Sequence, residues 1–481
     1  MSEPVQRQSG FIKTLGLWDV VFMNVVAVVG LRWIARGARA GPESVTLWIL
    51  ACLAFFVPLA ATVAELASRY PDQGGVYVWV RRAFGLGHGF ICGWCLWVNN
   101  LFYFPSVLLF GAANVAAMGG DRWSWLATSR WYAVVFVLVG IWIAAGINII
   151  GLRLGKWLQN AGAIGLWIPA ALLIGCGALA LARFGSATPF SSTTMLPRDS
   201  TLETLGLWSA MCFAFSGFEI TSFVGQEVHN PKRVIPIGVL IGGIVTTIIY
   251  IVGSASVLIA VPPSALKELS GITDAVQLVG SRVGLGGLGV LTGALLALNA
   301  LAGTASWTAG AARVPFAAGV DNVLPSVFAR LHPRYRTPHV ALVVQSLAAS
   351  AIFLASVFVA VAGRTTTIQE AYDILVNLTI LIYFVPYLYL FAALVRLRRQ
   401  APTAASGEIR VPGGSVGLWI VAFVGFAATA IALGLTFVPP PGVNATTYEV
   451  NLIAQAAAMI GAGLILYRVS VRKQVGRRAE T

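Results

Sequence analysis

The residues best suited to do chemistry in this chain lie between Phe213 and Pro236, in the stretch FAFSGFEITSFVGQEVHNPKRVIP. An apolar helix from Leu205 to Phe215 breaks at Ser216-Gly217, and a carboxylate, Glu219, follows at once. The segment then runs through Gln226-Glu227 to a hard stop at Asn230-Pro231-Lys232-Arg233. A helix broken inside a bilayer exposes N–H and C=O groups that lipid cannot satisfy, so the break must line a cavity. A carboxylate at that depth is costly and is read as functional: it can gate, pass a proton, or hold the loose backbone of the break. A second ionisable group, Arg32, falls in the first apolar run beside the small-residue interruption Val28-Val29-Gly30. Its guanidinium is a planar fork that suits a carboxylate. Two such interruptions mark discontinuous helices around a binding site for a small molecule.

The elements that must position these groups follow from composition. The chain has 481 residues, of which 58% are hydrophobic and 10% charged, and a mean hydropathy of +0.81. So little charge cannot cover a soluble surface. Apolar runs recur, each long enough to cross the hydrocarbon, which takes about 20 residues. The fold class expected is an all-α polytopic membrane protein. A net charge of +14 raises nucleic acid as a partner, but the basic residues are dispersed among the connections between spans, the pattern that orients a membrane protein. Met1 to Thr14 is polar and lacks the apolar core of a signal peptide. Cys52, Cys92, Cys95, Cys176 and Cys212 all fall inside apolar runs, away from aqueous loops where a disulfide framework would form.

Hydropathy windows give about twelve spans. They run Leu15–Arg36, Ser44–Ala67, Leu86–Met118, Trp131–Ile150, Leu158–Ala182, Leu205–Val228, Ile235–Val261, Leu285–Gly319, His339–Val361, Ala371–Leu394, Val416–Val438 and Val450–Tyr467. A loop over Ser68–Phe84 and a short amphipathic piece over Thr273–Val283 separate some of them. An even span number puts both termini on one side. With the termini inside, the inner connections hold roughly 22 of the 32 Lys and Arg and the outer ones roughly 9, which sets a cytoplasmic location for both ends. The interruptions of spans one and six stand five spans apart. That spacing suggests an inverted repeat, with residues 15–182 as its first half and 205–394 as its second. A cytoplasmic N-terminal tail (1–14), a cytoplasmic loop (395–415), two further spans (416–467) and a basic tail (468–481) complete the organisation.

Other polar residues in the spans have two readings each. Arg32 either meets a substrate carboxylate, or snorkels with Arg36 and Arg39 or pairs with Glu219. Asn99 and Asn100 on span three and Asn299 on span eight either line the pore or bond between helices. Thr304 and Ser306 are candidates for an ion site, although hydroxyls in membrane helices often bond their own backbone. Cys92-Gly93-Trp94-Cys95 has redox spacing but no acidic or histidine partner, and small buried apolar residues are what such cysteines usually are. The four histidines have no metal-ligand spacing, and there is no Gly-Lys-Ser/Thr phosphate loop. Neither a cofactor nor a metal is expected, nor an enzyme's catalytic group, nor ATP as the energy source.

Phe215-Ser216-Gly217-Phe218-Glu219, followed by Glu227-Val228-His229-Asn230-Pro231-Lys232-Arg233-Val234-Ile235-Pro236, resembles the sixth span of the amino acid–polyamine–organocation (APC) transporters. Pro71, Gly74-Gly75 and Tyr77 are similar to that family's loop after span two; Arg313, Val323-Leu324-Pro325 and Thr337-Pro338 are similar to its loop after span eight. The resemblance implies a five-plus-five inverted repeat with broken spans one and six, two more helices, and alternating access. It also implies that N–H groups of span one take a substrate carboxylate and carbonyls of span six an amine. These expectations agree with the charge at helix ends. By position, the site would comprise Val29, Gly30, Leu31, Arg32, Phe213, Phe215, Ser216, Gly217, Phe218 and Trp307. Phe213 falls where some members have an aromatic lid, Glu219 on the family's gating or proton-relay glutamate, and Trp307 where certain exchangers line the site from span eight. The family's span-one motif Gly-Ser/Ala-Gly-Ile-Phe is replaced here by Gly30-Leu31-Arg32-Trp33-Ile34.

The resemblance therefore points to a secondary transporter, a permease or exchanger of amino acids or related amines, and the short loops and compact tails suggest a bacterial inner membrane. Its partners would be that small molecule and the bilayer, with no nucleic acid and with a homodimer as a candidate assembly. The alternative is a membrane sensor or channel-like protein that keeps the fold without the transport cycle.

Overall fold

The computed structural model describes residues 15–70, 75–197, 201–219, 222, 228–313, 325–358, 367–401, 403, 408–439 and 445–479. Among these, every regular element is helical apart from one bridge between Leu15 and Val228. The chain is an all-α polytopic membrane protein. Ten described helices are long and apolar enough to cross a bilayer, and a bent pair makes an eleventh. The expected sixth span, Leu205–Val228, is partly outside the described residues. Gln226-Glu227, Val323-Leu324, Pro71 and Gly74 lie outside them too.

The bent pair is α1 (Leu17–Val28) and α2 (Leu31–Ala38), which meet at 49°. Val29 and Gly30 between them take extended backbone, with ψ of 108° and 109°. α3 (Glu43–Arg69) follows, widened to a π turn over Cys52–Phe56 just before Pro58. A helix not expected from hydropathy, α4 (Gly75–Phe84), occupies most of the Ser68–Phe84 connection. Val76, Trp79, Val80 and Ala83 give it one buried stripe at helical spacing. It is too short, and too rich in arginine at its end, for a span window to register.

The long helices continue with α5 (Leu86–Met118), α6 (Arg130–Ile150), α7 (Leu152–Phe184), the shorter α8 (Leu202–Ala214) and α9 (Pro231–Ala260). The amphipathic α10 (Gly271–Arg282) precedes α11 (Gly287–Ala311), α12 (His339–Phe358) and α13 (Ile368–Gln400). α14 (Gly414–Leu435) and α15 (Ala445–Ala479) end the chain, so the helix of the last span runs on into the basic tail. α13 likewise extends past the expected end of the tenth span.

α9 lies against α1, α3 and α7, while α11 lies against α5 and α7, so α7 joins the two sets. α9 comes so close to α3 that a Cβ on Gly243 would sit 1.7 Å from the Phe56 ring. In the α11 set, amides do the joining, as expected where lipid offers no competing partner. Asn299 Nδ2 donates to the Gly162 carbonyl of α7, Asn148 Nδ2 to Ala305 of α11, and Gln345 Nε2 to Thr308.

Candidate functional site

The two breaks meet at Tyr250. α8 ends at Ala214, and its continuation turns through Phe215, Ser216 and Gly217, with Gly217 at φ +105°. That angle is open to glycine and strained for most other residues. Ser216 Oγ folds back to donate to the Phe213 carbonyl at 2.5 Å. The Tyr250 hydroxyl from α9 joins the breaks. It lies 2.9 Å from the Val28 carbonyl and 3.0 Å from the Ala214 carbonyl, and accepts from Gly30 N–H at 3.2 Å. One side chain thus satisfies loose backbone groups at the bend of α1–α2 and at the end of α8. Tyr250 is itself fixed by stacking on Trp48 at 4.5 Å.

Glu219 is 1% exposed and accepts three hydrogen bonds. Tyr383 Oη donates to Oε1 at 2.7 Å, Tyr387 Oη to Oε2 at 2.7 Å, and Gly217 N–H to Oε2 at 3.2 Å. Tyr387 Oη also accepts from Gly217 N–H at 2.9 Å. The carboxylate therefore links the turn of the second break to α13. Arg32 does not pair with it. Arg32 Nη1 donates to Ser106 Oγ at 2.9 Å, and the guanidinium lies over the rings of Trp33 and Tyr103 at 4.2 and 4.7 Å. Its Nη2 is buried with no hydrogen-bond partner.

Between the breaks is a small cavity of about 30 Å³. Ala27 and Val28 of α1, Ala214 and Ser216 of the second break, and Asn99, Asn100 and Tyr103 of α5 line it. Trp33, Phe213, Trp307 and Tyr383 complete the wall. Phe213 closes the α2 end, edge-on to Trp33 at 5.3 Å and to Tyr383 at 5.5 Å. Trp307 leans on Tyr103 at 5.8 Å. Asn100 Nδ2 donates to the Leu96 carbonyl, which fixes the amide and leaves Oδ1 without a partner. Asn99 Oδ1 is likewise buried and unpartnered. The wall therefore offers carbonyl acceptors among aromatic faces, a setting that suits an ammonium or other cationic group.

Beyond Phe213, on the side away from Leu15, sits a buried ionic cluster. Arg36 Nη1 contacts Glu268 Oε1 at 2.5 Å and Asp373 Oδ1 at 2.9 Å, and Arg39 Nη1 meets Glu268 Oε2 at 2.7 Å. Arg36 Nη2 donates to Asn377 Oδ1 at 3.3 Å, and Asn377 Nδ2 is bonded to Tyr448 Oη. Arg36, Glu268 and Asp373 are all nearly inaccessible. The cluster ties α2 to the segment before α10 and to α13.

Of the sequence-derived candidates, Asn99, Asn100, Phe213, Ser216 and Trp307 share this cavity. Val29, Gly30 and Gly217 form the breaks themselves. Leu31, Phe215 and Phe218 are fully buried outside the lining, the two phenylalanines packed on Phe56. Asn299 bonds α7 away from the cavity. Thr304 and Ser306 Oγ atoms donate to the carbonyls of Ala300 and Ala302 one turn back. Sequence reasoning missed Trp33, Tyr103, Tyr250, Tyr383 and Tyr387. A signal existed for the last two: tyrosines spaced i, i+4 in an apolar span put two hydroxyls on one face. It also missed Asn24, which is fully buried with neither amide atom partnered.

A polytopic helical protein in which a bent helix pair and the turn ending a second helix line one cavity has the organisation expected of a transporter. The chain matches the family model described as amino acid permease over residues 15–465. It is 30% identical to an uncharacterized transporter of Legionella pneumophila, over 95% of each chain. It is 24% identical to a probable agmatine/putrescine antiporter of Lactococcus lactis, over 79% of this chain and 80% of that one. With a glutamate/gamma-aminobutyrate antiporter of the same species it shares 26% identity, over 84% and 80%. The chain is a member of the amino acid permease family.

Proposed function

We propose that this protein is a secondary transporter that moves amino acids or related amines by alternating access, with the substrate held between the two breaks. The observation that carries the reading is the Tyr250 hydroxyl joining Val28, Gly30 and Ala214, so that both breaks meet beside a cavity that Val28 and Ala214 line. Backbone groups that must be satisfied by one tyrosine in the closed cavity are groups a substrate can reach when the halves part. Asn99 and Asn100 on the cavity wall supply acceptors for an amine, and Arg32 Nη2, unpartnered but outside the cavity lining, becomes a donor for a carboxylate when the halves part. Glu219 acts as the gate at the second break, linking it to α13. A five-plus-five repeat is the reading that the spacing of the two interruptions supports, and cytoplasmic termini the reading that the Lys and Arg distribution over twelve expected spans supports. Exchange is the favoured mode, since named relatives are antiporters.

The test is uptake of a labelled panel of amino acids and amines into proteoliposomes preloaded with the same unlabelled compound. Uptake stimulated by internal substrate is expected. Uptake restricted to acidic compounds and lost in Arg32→Ala makes Arg32 the carboxylate ligand; uptake of neutral or basic compounds makes Arg32 structural. Absence of any countertransport across the panel would sink the reading.

Tyr250→Phe keeps the ring on Trp48 but leaves three backbone groups of the breaks without the hydroxyl. An unsatisfied buried group costs roughly 1–3 kcal/mol. That cost falls on the closed, substrate-free state, so the expected result is a half-saturation constant lowered about tenfold, 1.4 kcal/mol being a factor of ten. Concentration-dependent uptake measures it, and an unchanged constant would remove Tyr250 from the site.

A further inference from the structure

We propose that the groove at the C-terminal end of α13 is a binding site for an anionic phospholipid. α13 has 33 residues, so at 1.5 Å per residue it is about 50 Å long and outruns a hydrocarbon core of about 30 Å. Its last turns therefore stand at headgroup level. Three arginines lie there, and they do different things. Arg398 turns inward, to Glu65 at 3.3 Å and to the Val411 carbonyl at 3.2 Å. Arg396 and Arg399 are exposed and have no carboxylate partner among the described residues. Each rests on an aromatic ring instead, Arg396 on Phe84 at 5.0 Å and Arg399 on Trp419 at 5.1 Å.

Both arginines line a groove of about 480 Å³ with Phe84, Ala392 and Val395. From Arg399 to Ala392 the lining passes from charged to apolar, and the direction is toward the middle of the span. That is the order of groups in a phospholipid: an anionic phosphodiester outside, then apolar chain. The neighbouring carboxylates cannot supply the counter-charge. Glu65 is held by Arg398 and by Val411 N–H at 2.8 Å, and Glu408 lies 3.1 Å from Arg69 and 3.5 Å from Arg410. A guanidinium pair left with ring contacts and an apolar floor fits a phosphate better than a carboxylate side chain, and fits a lipid better than a soluble phosphate.

Full-length protein in detergent tests this, by native mass spectrometry and thermal unfolding with added phosphatidylglycerol, phosphatidylcholine or glycerol 3-phosphate. Phosphatidylglycerol is expected to stay bound and to raise the unfolding midpoint, and the other two are expected to do neither. Arg396→Gln/Arg399→Gln is expected to weaken phosphatidylglycerol retention about tenfold or more, with the lipid-free midpoint unchanged. The single variants are expected to fall between. Equal retention of phosphatidylglycerol by the double variant, or equal effects of phosphatidylcholine, would overturn the site. A midpoint rise with glycerol 3-phosphate matching that of the lipid would overturn the lipid assignment. A double variant unfolded without lipid is judged by the single variants, whose unchanged retention would overturn the site as well.

Discussion

Glu219→Gln is expected to slow turnover by about tenfold to a hundredfold while the protein still folds. The carboxylate accepts from Tyr383, Tyr387 and Gly217 N–H. Glutamine keeps one acceptor oxygen. If that oxygen serves Tyr387 and Gly217, its amide N–H₂ faces the Tyr383 hydroxyl, which can rotate to accept. If it serves Tyr383, the N–H₂ faces the Gly217 N–H, and two donors oppose each other. One arrangement therefore survives, which is why folding is retained. What is lost is the charge. Hydrogen bonds to a charged group are worth about 1.5–3 kcal/mol against about 1 for neutral ones, and each 1.4 kcal/mol is tenfold in rate. Those bonds join the second break to α13, so their loss falls on the step that moves one against the other. Counterflow rates with purified protein, compared at matched unfolding midpoints, measure the effect. Normal turnover in this variant would remove the gating role.

The second large effect is expected at Arg36. Arg36→Met removes the cation between Glu268 and Asp373. Glu268 retains Arg39 at 2.7 Å, and Asp373 retains, among the described residues, the hydrogen bond from Gln369 Nε2 at 3.2 Å. Breaking a buried pair by deleting one partner costs roughly 3–5 kcal/mol, because the other charge stays buried. That cost falls on the state in which α2 is closed against α13. At 1.4 kcal/mol per factor of ten, opening becomes favoured by about a hundredfold or more. A cysteine introduced as Ala27→Cys on the cavity wall reports it, through labelling by a membrane-impermeant maleimide from the side of the cluster. Faster labelling is expected with Arg36→Met than with Arg36 intact. The double replacement Arg36→Met/Asp373→Leu removes both charges and is expected to slow labelling again. Equal labelling in all three would show that the cluster does not hold this end shut.

Sequence alone determined the features that are local in the chain. Apolar runs longer than a bilayer can only be spans, so the polytopic helical class was legible from hydropathy. The interruption at Val28-Val29-Gly30 and the break at Ser216-Gly217 were legible because small residues and a glycine at positive φ are needed where a helix stops. Glu219 stood out because an intramembrane carboxylate is rare. Asn99, Asn100, Phe213 and Trp307 could be nominated, but a polar or aromatic side chain in a span gives no sign of which neighbour it faces. Asn299 shows this: its type matches Asn100, and its place is a joint between α11 and α7.

The tertiary structure decided the partners. Tyr250 meets Val28 across 222 positions, Tyr383 meets Glu219 across 164, and Arg36 meets Asp373 across 337. No periodicity carries information over such separations, because each pairing depends on how whole helices pack. Arg32 is the plainest case. Its position beside the first break is written in the chain. Its burial against Tyr103 and its bond to Ser106 follow from the placement of α5, which brings the ring and hydroxyl that hold it.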